Sequence, residues 1–408
     1  IQDIADAIEA QIVATESNVF GVSEVFLNGN RTGTGAVDDP DGVRTQETNL
    51  GNLTADANLA AAKAVDETVV VSIKNGGGIR ASIGETIVPA GGTEAVRSAN
   101  SEVTDGDGNV VKPEGGISQN DIQAALAFNN GLSLVTVTRQ ELINVLEHAL
   151  GDIGGGRFPQ VSGLQFSYDA DNEAGSRVVD ASIVDPETGE VIAELMSDGA
   201  LVGDASEGFR IVTLNYLAGG GDGYPFDALA APDQVDLYDL DGDGENDGAT
   251  GDATFADDGT EQDALAEYLD DTYNPANGGT AYAEEDTGLD GDTRIIDVDA
   301  VDSAPQGPVP TEQLTFTRSE LSVGSESGAE IPAFDPTTNK IFVAGGETSV
   351  EMITLASDLT ASQIETLDIA ALVPGASAVT SVDVKNGMLV AAVQVEDADG
   401  NQTNGVAA

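Results

Sequence analysis

Two stretches carry residue types able to hold a small polar ligand. The first, Asn75-Gly76-Gly77-Gly78-Ile79-Arg80, follows the apolar run Thr68-Val69-Val70-Val71-Ser72-Ile73. Glycines after a buried strand let the backbone turn sharply and approach a ligand closely, because no Cβ intervenes. An arginine at the strand end presents a planar, permanently charged fork to phosphate or carboxylate oxygens. The second, Asn215-Tyr216-Leu217-Ala218-Gly219-Gly220-Gly221-Asp222-Gly223-Tyr224-Pro225, mirrors it: the strand expected over 209–216 runs into glycines, with an aromatic before them and an acid among them. Either stretch alone would also serve as an ordinary glycine-rich turn.

A third stretch is acidic. Asp239-x-Asp241-x-Asp243-Gly244-x-x-Asp247 alternates oxygen ligands around a glycine turn, as a calcium loop does. Thr250 occupies the place of the bidentate glutamate of an EF-hand, so the alternatives are a structural Ca2+ site and a solvated acidic loop. Asp105-x-Asp107-x-Asn109 is a weaker echo. The only histidine, His148, falls at a helix end beside Glu147 and reads as a packed or dipole-facing residue rather than a ligand. A histidine-rich two-metal centre is excluded within this chain.

The totals limit the partners. Fifteen Lys+Arg against 72 Asp+Glu give a formal net charge of -57, which repels polyanions and makes nucleic acid and membrane surfaces poor partners. The acid is spread through 408 residues of which 40% are hydrophobic, the composition of a folded protein with an acidic skin. Zero cysteines exclude disulfides and thiolate metal sites and fit an exoprotein as well as a cytosolic one. No apolar run approaches a membrane span, and the first residue is Ile, which reads as a processed or partial chain.

The elements that must position the two glycine loops follow from periodicity and caps. Ile1, Ile4, Ile8 and Ile12 predict an amphipathic helix over about 1–15 that would connect to something upstream. A short strand is expected over 22–28, and a buried alanine- and leucine-rich helix over about 50–64, opened by a polar cluster. Residues 84–117 read as an insertion. Ser118-x-x-Asp121 and Thr138-x-x-Glu141 read as capping boxes for helices ending near Ala127 and Leu150. Strands are expected at 132–137, 163–168, 177–184 and 191–196, and a helix at 261–269. Prolines mark a linker over 303–312, beyond which short β-like runs (341–343, 350–355, 379–384, 388–393) suit a sandwich or the first blades of a propeller.

Five motifs in order resemble the carboxy-terminal domain of the 5′-nucleotidases. They are Arg44-x-x-Glu47-x-Asn49-Leu50-Gly51-Asn52-Leu53, the first glycine loop, the Phe128 region, Gly156-Arg157-Phe158-Pro159-Gln160-Val161-Ser162-Gly163, and the second glycine loop. The resemblance implies that Phe128 and Tyr216 clamp a base between aromatic faces. It also implies that Asp222 accepts from ribose hydroxyls, Asn75 contacts base or sugar, and Arg44 and Arg80 steady a phosphate. Ala127 stands where proline is common in the family, and Tyr216 where phenylalanine is.

The resemblance further implies an upstream metallophosphatase domain with a divalent two-metal centre whose ligand motifs have no counterpart here. This segment alone is therefore expected to be inactive, and to be the nucleotide-binding part of a secreted, extracellular or periplasmic bacterial 5′-nucleotidase or alkaline phosphatase. Expected boundaries are a connector helix (1–20), an α+β substrate-binding domain with a mixed sheet and helices (21–302), a linker (303–312) and an incomplete, propeller-like all-β module (313–408). The readings set against this are an extracellular structural or adhesive protein using calcium-ordered acidic loops, and a stand-alone nucleoside-binding module.

Overall fold

The structure, a computed structural model, describes residues 2–31, 42–88, 96–105, 108–228, 233–300, 331–335, 340–344, 348–355, 361–385, 388–396 and 406–407. The chain divides into two compact units, 1–311 and 312–408. The expected 303–312 linker and Asp107 lie outside the described residues.

The first unit is a mixed α+β structure. Its central sheet has the order Val235–Asp236, Leu132–Thr138, Gly208–Leu214, Val69–Asn75, Pro159–Ser162. Gly208–Leu214 runs parallel to Val69–Asn75, with Thr213 opposite Ile73, while the other pairs are antiparallel. Val69–Asn75 is buried along all but one of its positions, its polar Ser72, Lys74 and Asn75 included, because it is covered on both faces. Parallel pairing has a direct consequence: both strands end at the same edge, so the two glycine loops that follow them emerge side by side. A second sheet, Ala200–Leu201, Val191–Ser197, Val178–Val184, Leu164–Tyr168, Ile295–Asp297, is entered from Pro159–Ser162 through Gly163 and shares the core of the first.

Helix Asn49–Val65 joins two cores. Leu59 and Ala62 pack with the sheets, whereas Leu50, Leu53 and Ala57 pack with Ile122 and Leu126 and with Leu265 and Leu269 of helix Glu261–Thr272. Both expected capping boxes form: Ser118 and Asp121 open helix Gln119–Ala125, and Thr138 and Glu141 open helix Arg139–Leu150. Three local expectations are corrected. The strand expected over 22–28 is Val19–Val22 followed by isolated bridges at Ser23 and Leu27, since that segment meets three different partners in turn. Helix Gln119–Ala125 stops short of Ala127. The strand expected over 209–216 ends at Leu214, and Asn215–Ala218 is a helical turn.

One charged residue lies inside the apolar strand. Lys74 is fully buried and its Nζ lies 2.9 Å from Oε2 of Glu261, also fully buried, at the start of helix Glu261–Thr272. The second glutamate oxygen accepts from the backbone N–H and the side-chain amide of Asn130.

The second unit holds two antiparallel sheets, one of four strands (Ile331–Asp335, Lys340–Ala344, Ser349–Leu355, Ala361–Asp368) and one of three (Ala376–Lys385, Met388–Val395, Val406–Ala407). Phe342, Val350, Val379 and Val393 contribute to its core. Among the described residues neither sheet closes into a barrel or propeller, so the propeller-like expectation gains no support.

Breaking a buried ion pair leaves an uncompensated charge. Lys74→Ala or Glu261→Ala should each lower unfolding free energy by about 3–5 kcal/mol in urea titrations. The apolar double replacement Lys74→Met with Glu261→Leu should recover much of the Lys74→Ala loss, and equal losses in single and double variants would refute the account.

Candidate functional site

The turn after Val69–Asn75 is a single helical turn, Gly76–Gly78. Its two leading amides donate to Phe158 O and Gly156 O, each at 2.7 Å. A Cβ at Gly76 would lie 1.7 Å from Val43 O and one at Gly77 2.6 Å from Gly156 O, so neither position has room for a side chain. The close approach draws the segments carrying Arg44 and Gly156 onto the strand end.

All six sequence-nominated residues, Arg44, Asn75, Arg80, Phe128, Tyr216 and Asp222, line one open cavity of about 320 Å³, together with Asn130 and three glycines. Asp222 is its organising acid. Its backbone is left-handed, φ 52°, a region open to Asp more readily than to most residues. Oδ1 accepts from the Tyr216 hydroxyl at 2.9 Å and Oδ2 from Asn75 Nδ2 at 2.8 Å, which ties the two glycine loops together across the cavity. His148 Nε2 contacts the Asp222 carbonyl at 3.0 Å and its ring meets the buried Tyr224 edge-on, so the lone histidine braces the second loop.

The arginines stand opposite this acid in chemical character. Arg80 Nη1 donates to Gly77 O at 3.0 Å, and its guanidinium lies over the Phe128 ring, 5.1 Å from the centroid. Partial burial, then the charges of Arg31 and Arg44, hold the Arg80 guanidinium below its ordinary value. Crowded cations of this kind favour an anion between them. The hydrogen bond to Asp222, followed by burial, raises the Tyr216 phenol. Arg44 Nε and Asn75 Oδ1 are buried with no hydrogen-bond partner, one donor and one acceptor left for a ligand. Phe128 is 61% and Tyr216 47% exposed, unusual for large rings that could have joined the core.

Sequence reasoning did not nominate Arg31 or Asn130. Arg31 is an isolated cation in a polar loop, and no local pattern marks it. Asn130 is placed by Glu261, far along the chain.

In the acidic loop, one carboxylate oxygen from each of Asp239, Asp241 and Asp247 comes within 4.8 Å of the others. Asp243 is not in this group; its Oδ1 accepts from the Glu245 amide at 2.8 Å. Asp239 Oδ1 is buried without a partner, whereas Oδ2 accepts from Gly244 N–H, so the set fits a hard cation on donor chemistry. With one histidine and no cysteine, the sequence does not fit a histidine-rich two-metal centre.

The paired strand ends of this α+β domain thus present an acid, an asparagine, guanidinium groups and exposed rings around one cavity. Residues 31–231 match the family described as 5′-nucleotidase, C-terminal domain. A trifunctional nucleotide phosphoesterase of Bacillus subtilis, YfkN, is 29% identical over 221 residues, covering 54% of this chain and 12% of that protein. The 5′-nucleotidase of Diplobatis ommata is 27% identical over 213 residues, covering 50% of this chain and 30% of its own length. The 5′-nucleotidase precursor of Thermus thermophilus aligns over 72% of this chain and 42% of that one, at 24% identity and a TM-score of 0.47. The chain thus spans less than half the length of each of these relatives.

Helix Glu261–Thr272 braces the loop holding Phe128 and Asn130 through Gln262, whose side-chain amide donates to Leu126 O and whose backbone N–H donates to Asn129 Oδ1. Next to it Asp263 is buried, with one carboxylate oxygen unpartnered, and burial together with Glu267, Asp258 and Asp257 pushes it up to about 7 from 3.8. The folded state therefore holds this proton more tightly than the unfolded chain. The stabilisation is complete below 3.8 and is lost as pH rises through 7. Asp263→Asn should accordingly gain stability relative to the parent as pH rises from about 4 to about 8, measured by urea unfolding at each pH. A difference independent of pH would refute the assignment.

Proposed function

We propose that this chain carries the substrate-binding part of a metal-dependent 5′-nucleotidase-type phosphomonoesterase, with the hydrolytic metal centre supplied by a domain outside this sequence. The observation that carries the reading is the convergence of Arg44, Asn75, Arg80, Phe128, Tyr216 and Asp222 on one cavity. A nucleotide needs a flat apolar slot, an acceptor for its diol and cations for its phosphate, and the cavity lining has each. In this reading the base stacks with Phe128 and Tyr216, the ribose hydroxyls meet Asp222, and Asn75 reaches base or sugar. Arg44 and Arg80, with Arg31 nearby, hold phosphate oxygens. Their contribution is grip and orientation, which lower the entropic part of the barrier. A divalent metal pair, where present, would supply the activated water and polarise the phosphoryl group.

A snake venom 5′-nucleotidase of Gloydius brevicauda, 28% identical over 224 residues, favours an extracellular or periplasmic location. Asp239, Asp241 and Asp247 are read as a structural calcium loop. No helix among the described residues is long and apolar enough to cross a membrane.

Calorimetric titration with adenosine and AMP tests the slot. Saturable binding is expected, weakened by about 5–100-fold in Phe128→Ala, the range for loss of one stacking contact. Asp222→Ala should weaken both ligands alike, whereas Arg44→Ala should weaken AMP more than adenosine. A folded parent that binds neither ligand at millimolar concentration, or variants that bind as the parent does, would overturn the assignment. For the calcium loop, Asp239→Asn with Asp241→Asn should abolish calcium-dependent protection of 233–258 from proteolysis, and protection that survives the change would place the ion elsewhere.

A further inference from the structure

The ring of Tyr216 and its hydroxyl are held by different parts of the second glycine loop. A Cβ added at Gly221 would stand 2.6 Å from both Cδ2 and Cε1 of the ring, atoms at opposite corners, so the face of the ring lies over the Gly221 backbone. Only glycine leaves room for that approach. The ring nevertheless lines the cavity and is 47% exposed.

The hydroxyl at its tip closes a second contact within the same loop. It accepts from the Asp222 backbone N–H at 3.2 Å and donates to Asp222 Oδ1 at 2.9 Å. With the N–H directed at the oxygen, the hydroxyl proton is turned toward the carboxylate. The bond to Asp222 also raises the phenol above its ordinary value, so the hydroxyl keeps its proton and stays the donor.

Asn75 Nδ2 holds the other carboxylate oxygen at 2.8 Å from the neighbouring strand end. Two donors from two loops therefore set the plane and the direction of the Asp222 carboxylate. The backbone that carries it is left-handed at Gly220, Asp222 and Gly223, with φ of 83°, 52° and 74°. Each carboxylate oxygen keeps a further acceptor position, and two adjacent acceptors match two adjacent hydroxyls.

We propose that the Tyr216 hydroxyl, separately from the ring, is a positioning group that aims Asp222 at a vicinal diol and makes the cavity select ligands that carry one. The inference rests on the reading of this cavity as a nucleotide slot and divides one residue between two tasks: the ring serves the base, and the hydroxyl serves the sugar through the acid. Without the hydroxyl the ring would still lie on Gly221. Asp222 would lose the donor to Oδ1 and the acceptor for its N–H, leaving the bond from Asn75 to orient the carboxylate. Stacking survives that loss, whereas recognition of the diol weakens.

The test compares adenosine with 2′,3′-dideoxyadenosine, which carries the same base and lacks both hydroxyls, by calorimetric titration of the full chain. The parent is expected to bind adenosine more tightly. In Tyr216→Phe, which keeps the ring, adenosine should bind about 2–12-fold more weakly, the range for one hydrogen bond, while dideoxyadenosine binds as it does to the parent. Asp222→Gly removes the acid with a residue that suits the left-handed backbone, and in that background Tyr216→Phe should have no further effect on adenosine. Circular dichroism confirms folding, and the two-ligand comparison in Tyr216→Phe decides the matter if Asp222→Gly does not fold. Equal weakening of both ligands by Tyr216→Phe would assign the hydroxyl to ring placement and overturn the proposal. Unchanged or tighter adenosine binding in that variant, or a parent that does not distinguish the two ligands, would overturn it as well while leaving the slot in place. A folded parent that binds neither ligand would remove the slot itself and the proposal with it.

Discussion

The buried contact between Lys74 and Glu261 constrains much of what surrounds the cavity. Taking both charges out of water is costly, and only close, well-saturated geometry offsets it. Lys74 has 0% exposure and directly precedes Asn75, while Glu261 opens helix Glu261–Thr272 and holds Asn130 through two further bonds. The strand end, the helix start and the loop beside Phe128 are therefore fixed to one another by a single carboxylate. No slack remains at the point where the glycine turn begins.

The parallel register does the complementary work. Because Gly208–Leu214 and Val69–Asn75 run the same way, Leu214 and Asn75 reach the same edge, and ligand sites in open α/β sheets recur at such carboxyl ends. The Thr213 hydroxyl donates to Ile73 O at 2.8 Å, a cross-strand bond formed just before the two loops depart. Tight glycine packing on one side and the His148 brace on the other then hold the two loops at a fixed separation.

Much of this was legible because local chemistry and tertiary role agree. Ser118 with Asp121 and Thr138 with Glu141 form the caps their spacing indicates, and the alanine-rich helix is buried as its composition requires. The strand expected to run through Tyr216 failed for a physical reason: Asn215 N–H donates to Gly131 O, and the chain turns helically once Leu214 leaves the sheet. Asp243 matched a ligand spacing, yet spacing counts residues and not directions, and its carboxylate turns back to the Glu245 amide. Lys74 in an apolar run and Arg31 in a polar loop depend on partners distant in sequence, where periodicity carries no information.

Asp222 enters the cavity already engaged, its two oxygens serving Tyr216 and Asn75. Each carboxylate oxygen can accept a second bond, so a donor arriving there adds to an acid whose direction is already fixed. The resident hydroxyl and amide keep the acid solvated in effect while the cavity is empty and prevent collapse onto an unsatisfied charge. Little rotamer freedom is left at this carboxylate, so the ordering that a new contact would require has been done in advance by the fold.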